Sequence, residues 1–308
     1  MSSAVAGTLH VLTVHFNTPA LTSSLVRSLP ARTPSGRALV AHILDNSSTP
    51  ENLSELRDRL SGLDSVTLQT NDENVGFGAG MNFLASRAGI EPSDLLWLLN
   101  PDTRLEPGCL AHLESALDGG QFDAVSPFIF SGNGDTAWIW YCGGDVDRLS
   151  VRVAHRLYGT PTALVPQESF ETEFMTGAAP MMPASVFRAV GGFRRGYFLY
   201  WEDAEFSWQA RELGFRLGVV PSARLWHAVG ASSGCGQSRV FYYWAARNRF
   251  VYARDTGVAL RQLTSGRGAL ETLRLIARAF REREERIPKV RAAIRGTCDG
   301  LRQFVGSN

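Results

Sequence analysis

The sequence predicts an α/β fold built on a mostly parallel central sheet, and three observations carry that prediction. Short β-branched apolar runs alternate with segments of helical periodicity through the first third of the chain. Such alternation is the pattern of a sheet covered by helices on both faces. One run, Asp94–Leu99 (DLLWLL), is apolar without alternation, as a strand buried on both faces must be. Polar clusters then follow the strands, at the carboxyl ends where open α/β sheets collect their ligands.

Leu9–Phe16 is the first strand, ending at Asn17-Thr18-Pro19. Thr18 is placed to cap a helix in which Leu21, Leu25, Val26 and Leu29 share one face before Pro30. Ala38–Leu44 is the second strand, closed by Asp45-Asn46-Ser47-Ser48. A short amphipathic helix over Asn52–Leu60 precedes a third strand, Ser65–Thr70. Gly80–Ala88 reads as a helix, and the buried strand Asp94–Leu99 delivers Asn100-Pro101-Asp102.

The second half begins near Glu106. It holds a helix over Gly108–Leu117, a short strand Ala124–Ser126 and a Gly/Trp-rich stretch from Ser131 to Gly144. Residues 145–170 read as an irregular excursion. A helix over Ala184–Val190 ends at Gly191-Gly192, the aromatic segment Tyr197–Trp201 leads into Glu202-Asp203, and Leu217–Pro221 is a further strand.

Composition bounds the function. The 308 residues include 31 Lys+Arg against 30 Asp+Glu, a formal +1 that argues against a nucleic-acid partner, whose binders carry a basic excess. At 44% hydrophobic, the chain can bury a sizeable core without disulfides or a structural metal. Cys109, Cys142, Cys235 and Cys298 are scattered without zinc-type spacing, so they are expected as reduced thiols of a cytoplasmic protein. The N-terminal stretch lacks the basic region of a signal peptide, and no apolar run reaches the ~18–20 residues that span a bilayer.

Several segments carry chemistry, each with an ordinary reading beside it. Asn100-Pro101-Asp102-Thr103 sets a carboxylate at the rim of the sheet, where it would hold a divalent cation through oxygen, or it is a plain turn. In Asn74-Val75-Gly76-Phe77-Gly78-Ala79-Gly80-Met81-Asn82 the glycines would let backbone approach a diphosphate, or would simply make a tight turn and a cap. Glu202, Asp203 and Glu205 either start a helix or supply a general base. His227, after Trp226, is by itself more often structural than a ligand.

Taken in order, Val14-His15-Phe16-Asn17, Asp45-Asn46-Ser47, the Asn74–Asn82 loop, Leu98-Leu99-Asn100-Pro101-Asp102, Thr176-Gly177-Ala178, Trp201-Glu202-Asp203 and Trp226-His227 resemble a family 2 glycosyltransferase. The likeness runs over about residues 9 to 255 and is strongest to the bacterial rhamnosyltransferase-like branch. The tail segment Ala293-Ile294-Arg295-Gly296…Asp299-Gly300-Leu301 is similar to that branch as well. The resemblance implies the GT-A fold, with residues 1–105 as the nucleotide-sugar half, 106–255 as the acceptor-binding and catalytic half, and 256–308 as a basic helical tail.

It also implies roles. Asp45 would bond the donor's pyrimidine, with Thr13, His15 and Asn17 lining base and ribose. Asn74, Gly76, Phe77, Gly78 and Asn82 would border nucleotide and sugar, with Asn100 standing where the family has the first acid of its DxD motif. Asp102 and His227 would hold Mg²⁺ or Mn²⁺. Gly177 and Ala178 would border the transferred sugar, Trp201 and Glu202 would face the acceptor, and Asp203 would be the base. The implied reaction is an inverting transfer from a nucleotide-diphosphate sugar, dTDP- or UDP-linked, to a hydroxyl of a glycan, a lipid-linked glycan or a small natural product. Two rivals are a nucleotidyltransferase, for which HFNTPALTSS offers no triphosphate loop, and an inactive sugar-binding relative, which would lack the base or a metal ligand.

The tail stands apart. Residues 261–308 hold eleven Arg+Lys and five acids, a local +6. Gly268–Glu284 forms an amphipathic helix with Leu270, Leu273, Ala277 and Phe280 on one stripe, and Pro288 interrupts the pattern before Val290–Ile294. The stripe is expected to pack on the catalytic domain or in a homodimer. The rival reading is peripheral contact with the inner membrane face.

Overall fold

The computed structural model describes residues 7–87, 89–228 and 237–306. Strand β1 (Thr8–His15) opens the sheet, and alternation along it feeds two cores. Leu9 and Val11 pack with Leu25, Trp97 and Leu113, while Leu12 packs with Leu44, Met81 and Leu98 on the other face. Helix α1 (Pro19–Ser28) follows, with Pro19 presetting its first turn; Thr18 stands at the cap position, but its hydroxyl makes no capping bond. Strand β2 (Ala38–Asn46), helix α2 (Pro50–Leu60) and strand β3 (Val66–Asn71) complete a parallel β1-β2-β3 set.

Helix α3 (Phe77–Ala85) begins earlier than expected and takes the glycine-rich segment into its first turns. Glycine is a poor helix former, and packing overrides propensity here. A Cβ on Gly80 would lie 2.8 Å from Val14, and one on Gly78 2.9 Å from Phe193, so the helix can sit this close only without them. Strand β4 (Leu95–Leu98) pairs in parallel with β1 and is followed by Leu99 and Asn100. Strand β5 (Thr103–Leu105) and helix α4 (Cys109–Asp118) come next.

Strand β6 (Ala124–Ser131) is fully buried and longer than the sequence pattern indicated, because two of its partner strands pair with it past Ser126. The region read as irregular contains structure. After β7 (Trp138–Tyr141), strands β8 (Gly144–Asp147) and β9 (Arg152–His155) form a hairpin. Asp147 closes its turn by accepting from the Leu149 and Ser150 backbone. Strand β10 (Phe170–Glu171), strand β11 (Met181–Pro183), helix α5 (Ala184–Val190) and helix α6 (Glu202–Glu212) lead to β12 (Leu217–His227). β12 outruns its expected end at Pro221 by shifting register between Val220 and Arg224 and rejoining β6.

Among the described residues the main sheet runs β3-β2-β1-β4-β11-β6-β12-β10, with β5 on β12 and β7 on β6. Strand β11 is antiparallel to both β4 and β6, so the two halves of the chain share one sheet.

The C-terminal part is helical: α7 (Arg239–Asp255), α8 (Leu260–Thr264), α9 (Gly266–Arg281) and α10 (Arg286–Val305). Pro288 does not interrupt α10. It lies in the first turn, where a missing N–H costs nothing. α10 packs on α7 through small residues: a side chain at Gly296 would strike the Tyr243 carbonyl, and one at Gly300 would lie 2.6 Å from that of Arg247. The stripe on α9 does not pack on the described catalytic domain, a correction to the first of its two expected partners. Leu270, Leu273 and Phe280 are exposed, while Ala279, Leu275 and Ile276 face the neighbouring helices. Cys235, noted in the sequence, lies outside the described residues.

Candidate active site

The site assembles along the carboxyl edge of β1, β2 and β4, joined by the end of β12. His15 and Asp45 are directly opposite in the β1–β2 register, on one face, with Thr13 one pleat behind. All three are buried. His15 Nδ1 meets Thr22 Oγ1 at 2.7 Å, while its Nε2 stands 3.7 Å from Asp45 Oδ1. That Nε2, Asp45 Oδ1 and Thr13 Oγ1 have no hydrogen-bond partner. Orphaned buried polar atoms are costly, and three together at a strand end are what a ligand with ring donors and acceptors would satisfy. Burial pushes the His15 imidazole below its ordinary value against the opposing pull of Asp45, so the ring is neutral near pH 7.

The second group lies where β5 meets β12. His227 pairs with Thr103 in the antiparallel register, which brings its Nε2 to 3.0 Å from Asp102 Oδ1. The Ala228 N–H donates to the Asp102 carbonyl at 2.9 Å and holds the pair in place. Neighbouring ligands on an octahedral ion with bonds of about 2.1 Å stand ~3.0 Å apart, so these two atoms fit one shared divalent cation. Among the described residues no cluster of three or more His, Cys, Asp or Glu side chains suits a metal. Further ligands would have to be donor phosphates or water. Trp140 packs edge-on against the His227 ring at 4.5 Å. Sequence reasoning missed it; the Trp-rich composition of 131–144 was the one signal.

The third group is tied to the second through backbone. Asn100 N–H donates to Ala178 O at 2.9 Å, and the next N–H back, that of Gly177, donates to Asp203 Oδ2 at 3.0 Å. Asp203 Oδ1 accepts from Ala204 N–H at 2.9 Å. Burial pushes the Asp203 carboxyl up to about 6, with these backbone donors pulling the other way. Glu202 is 5% exposed, and its Oε2 has no partner. Burial, then the charge of Asp203, raises Glu202 well above the carboxylate range, which makes it the neutral member of the pair. Glu205 is buried and meets Arg194 at 3.5 Å; burial pushes it up to about 7 against that guanidinium.

Backbone geometry explains how Asp203 is aimed. Tyr200 and Trp201 both have positive φ, 66° and 75°, which side-chain-bearing residues adopt only under constraint. Asn248 on α7 supplies that constraint by donating to the carbonyls of Leu199 and Tyr200, each at 2.9 Å.

Several expected ligand contacts are turned inward instead. Both polar atoms of Asn82 are engaged by the backbone of Phe193, at 2.7 and 2.8 Å. Asn17 Oδ1 accepts from Thr49 and Asn52 at the start of α2. Asn74 Oδ1 accepts from Asn46 Nδ2 and Gly76 N–H, and so shapes the glycine segment. Trp201 donates its indole N–H to Ala245 O, 3.1 Å away, and packs on Tyr252, so it faces α7. Phe77 lies against Gly177, and Ala178 is buried beside it.

Comparisons with known proteins identify the family and the fold. Residues 11–191 match the family model described as Glycosyl transferase family 2. A dTDP-rhamnosyl transferase, RfbF of Shigella flexneri, is 22% identical over 259 residues, covering 82% of this chain and 83% of that protein. An N-acetylglucosaminyl-diphospho-decaprenol L-rhamnosyltransferase of Mycobacterium tuberculosis is 26% identical over 190 residues, 55% of this chain and 61% of its own length. Among solved structures, GalNAc-T7 with UDP, GalNAc and Mn²⁺ superposes with a TM-score of 0.62 at 21% identity, over 87% of this chain and 54% of that one. The mannosyltransferase PcManGT of Pyrobaculum calidifontis, with GDP-Man and Mn²⁺, gives 0.54 at 14%, over 98% and 81%.

Proposed function

The chain belongs to glycosyl transferase family 2, and from that premise we propose that it moves a sugar, with inversion, from a dTDP- or UDP-linked donor to an acceptor hydroxyl. Membership in a glycosyltransferase family sets aside nucleotidyl transfer. The observation that carries the reading is the Asp203 carboxylate: half-buried, raised in pKa, and bonded to Gly177, whose neighbour Ala178 accepts from Asn100, two residues before Asp102 of the Asp102–His227 pair.

Thr13, His15 and Asp45 receive the nucleobase, with the orphaned Asp45 Oδ1 as acceptor for a ring N–H. A divalent cation, Mg²⁺ or Mn²⁺, held by Asp102 and His227 would neutralise charge on the departing diphosphate as a Lewis acid. Asn100, Gly177 and Ala178 border the sugar, with Phe77 packed behind Gly177 and held there by Gly76 and Gly78, which let this turn sit against Phe198 and Phe193. Asn17, Asn74, Asn82 and Trp201 position these walls through the bonds given above.

Asp203 accepts the proton of the acceptor hydroxyl as that oxygen bonds to the anomeric carbon. The bond from that carbon to the diphosphate breaks on the opposite face, its electron pair leaving with the nucleoside diphosphate. One base suffices, unlike the carboxylate pair of a glycosidase. Glu202, neutral beside it, leaves Asp203 as the charged member.

The acceptor is a glycan, a lipid-linked glycan or a small natural product, and the decaprenol-linked acceptor in the mycobacterial relative's name supports the second. We place the reaction in the cytoplasm; the three described cysteines are free thiols, which supports a reducing compartment. The division at residues 105 and 255 remains our functional partition of donor half, acceptor half and tail. The test is a thermal-shift screen of UDP-, dTDP- and GDP-sugars with Mn²⁺, followed by nucleoside diphosphate release with each stabilising donor. A chain stabilised by no nucleotide sugar would overturn the reading.

A further inference from the structure

The helices α9 and α10 carry nearly half of the large exposed apolar side chains described. On α9, Leu270, Leu273, Ala277 and Phe280 recur at helical spacing along one stripe. Leu273 and Phe280 are 61% and 65% exposed, and among the described residues no element covers them. Arg267, Arg274, Arg278 and Arg281, all exposed, line one edge of that stripe. The same design recurs on α10, where Ile287, Ile294 and Leu301 face outward beside Arg291, Arg295 and Arg302.

Acids of the tail are mostly occupied within the chain. Glu271 pairs with Arg274, Glu282 with Lys289, Glu285 with Arg239, and Asp299 with Arg302. The outward faces are therefore apolar and basic together. From this complementarity we propose that the outward faces of α9 and α10 dock on an anionic lipid bilayer. The apolar stripes would enter the acyl boundary while the arginines meet phosphate headgroups, the arrangement of a helix lying in the interface plane. A second copy is the poorer occupant, because an isologous pair would set the arginine rows of both copies against one another. No helix of the described residues is long and apolar enough to cross a membrane, so the contact is to the surface. The docking does not depend on which acceptor the enzyme uses.

Flotation of the full chain tests this, with vesicles of phosphatidylglycerol against vesicles of phosphatidylcholine, at low and high salt. The protein is expected to float with phosphatidylglycerol alone and to be released by salt. Arg267→Gln and Arg281→Gln should each weaken binding about fivefold. Phe280→Ser should weaken it roughly tenfold. These positions are exposed, so an unchanged circular dichroism spectrum verifies the fold. Failure of the wild type to float with phosphatidylglycerol would overturn the proposal. So would a dimer in sedimentation that Leu273→Ser and Phe280→Ser dissociate, since the face would then be a self-interface.

Discussion

Gly177 donates its backbone N–H to Oδ2 of Asp203 at 3.0 Å, and the Phe77 ring leaves that glycine no room for a side chain. A Cβ on Gly177 would lie 2.8 Å from the Phe77 ring and 3.6 Å from the Asp203 Cβ. One glycine thus aligns the base and sets the depth of the wall beside it. Gly177→Ala is expected to clash with Phe77, to move the Gly177 N–H that aligns Asp203, and so to lower kcat about tenfold or more, since ångström misplacements cost that much. Nucleotide affinity, held at β1 and β2, should stay near wild type by calorimetry.

Asp203→Asn keeps the size and most hydrogen bonding of the side chain but cannot take a proton. Turnover should fall ~10²–10⁴-fold with donor binding retained. Glu202→Gln replaces a buried group that is already neutral, so its loss should be far smaller. A dead Glu202→Gln beside an active Asp203→Asn would move the base by one position.

The same carboxyl sets an acid limb. Burial holds Asp203 up to about 6, so the carboxylate required for proton removal is present above that pH and lost below it. A kcat profile should decline as pH falls through about 6, above the ordinary carboxylate range. Glu202 is already neutral when Asp203 ionises, so Glu202→Gln should leave this limb nearly in place. A rate that stays flat down to the ordinary carboxylate range would contradict the assignment.

Asp102 and His227 fit one ion at 3.0 Å, and MgCl₂ or MnCl₂ should raise the Tm of the donor-bound protein. His227→Ala should abolish that metal-dependent rise, and Asp102→Ala should abolish transfer as well. Full activity of verified metal-free protein in excess EDTA would exclude the cation.

The sheet was legible in the sequence because strand burial writes itself as apolar runs, and β1, β2 and β4 need little else. The carboxylates at their ends were legible for the same reason: a strand end points a short polar side chain at the rim. What escaped depended on partners far along the chain. The bonds of Asn82 to Phe193 span 111 residues, and nothing local distinguishes that amide from one facing a ligand. The β8–β9 hairpin was hidden because its strands are short and polar and its turn relies on Asp147 rather than glycine. The α9 stripe showed the right periodicity, but periodicity states only that one face is apolar. Which face the neighbouring helices cover is settled by Ala279, Ala293 and Tyr242 packing together.

At the opposite end of the strands, His10 Nδ1 meets His42 Nε2 at 2.9 Å, and Asp94 Oδ2 stands 3.2 Å from His10 Nε2. His42 Nδ1 closes the chain on Thr67 Oγ1 at 2.9 Å. Burial pushes both imidazoles down, His42 to about 4 with His10 and Arg87 adding to the effect, while Asp94 opposes the shift at His10. The folded protein therefore holds these rings neutral, at a pKa below that of the unfolded chain. Their contribution is fully present above about pH 6.5 and drains away as pH falls toward 4. For Asp94, burial pushes upward but is outweighed by donors from Thr8, Glu91 and His10; the net lowering adds a loss at still lower pH. Discounted for solvent screening, His42 is worth no more than about 2 kcal/mol. His42→Gln keeps a polar group at this position and does not titrate. Its Tm should be lower than wild type near neutrality, and the gap should narrow as the pH approaches that of the folded imidazole. Parallel Tm curves for the two proteins across that window would show that the histidine pair does not govern acid stability.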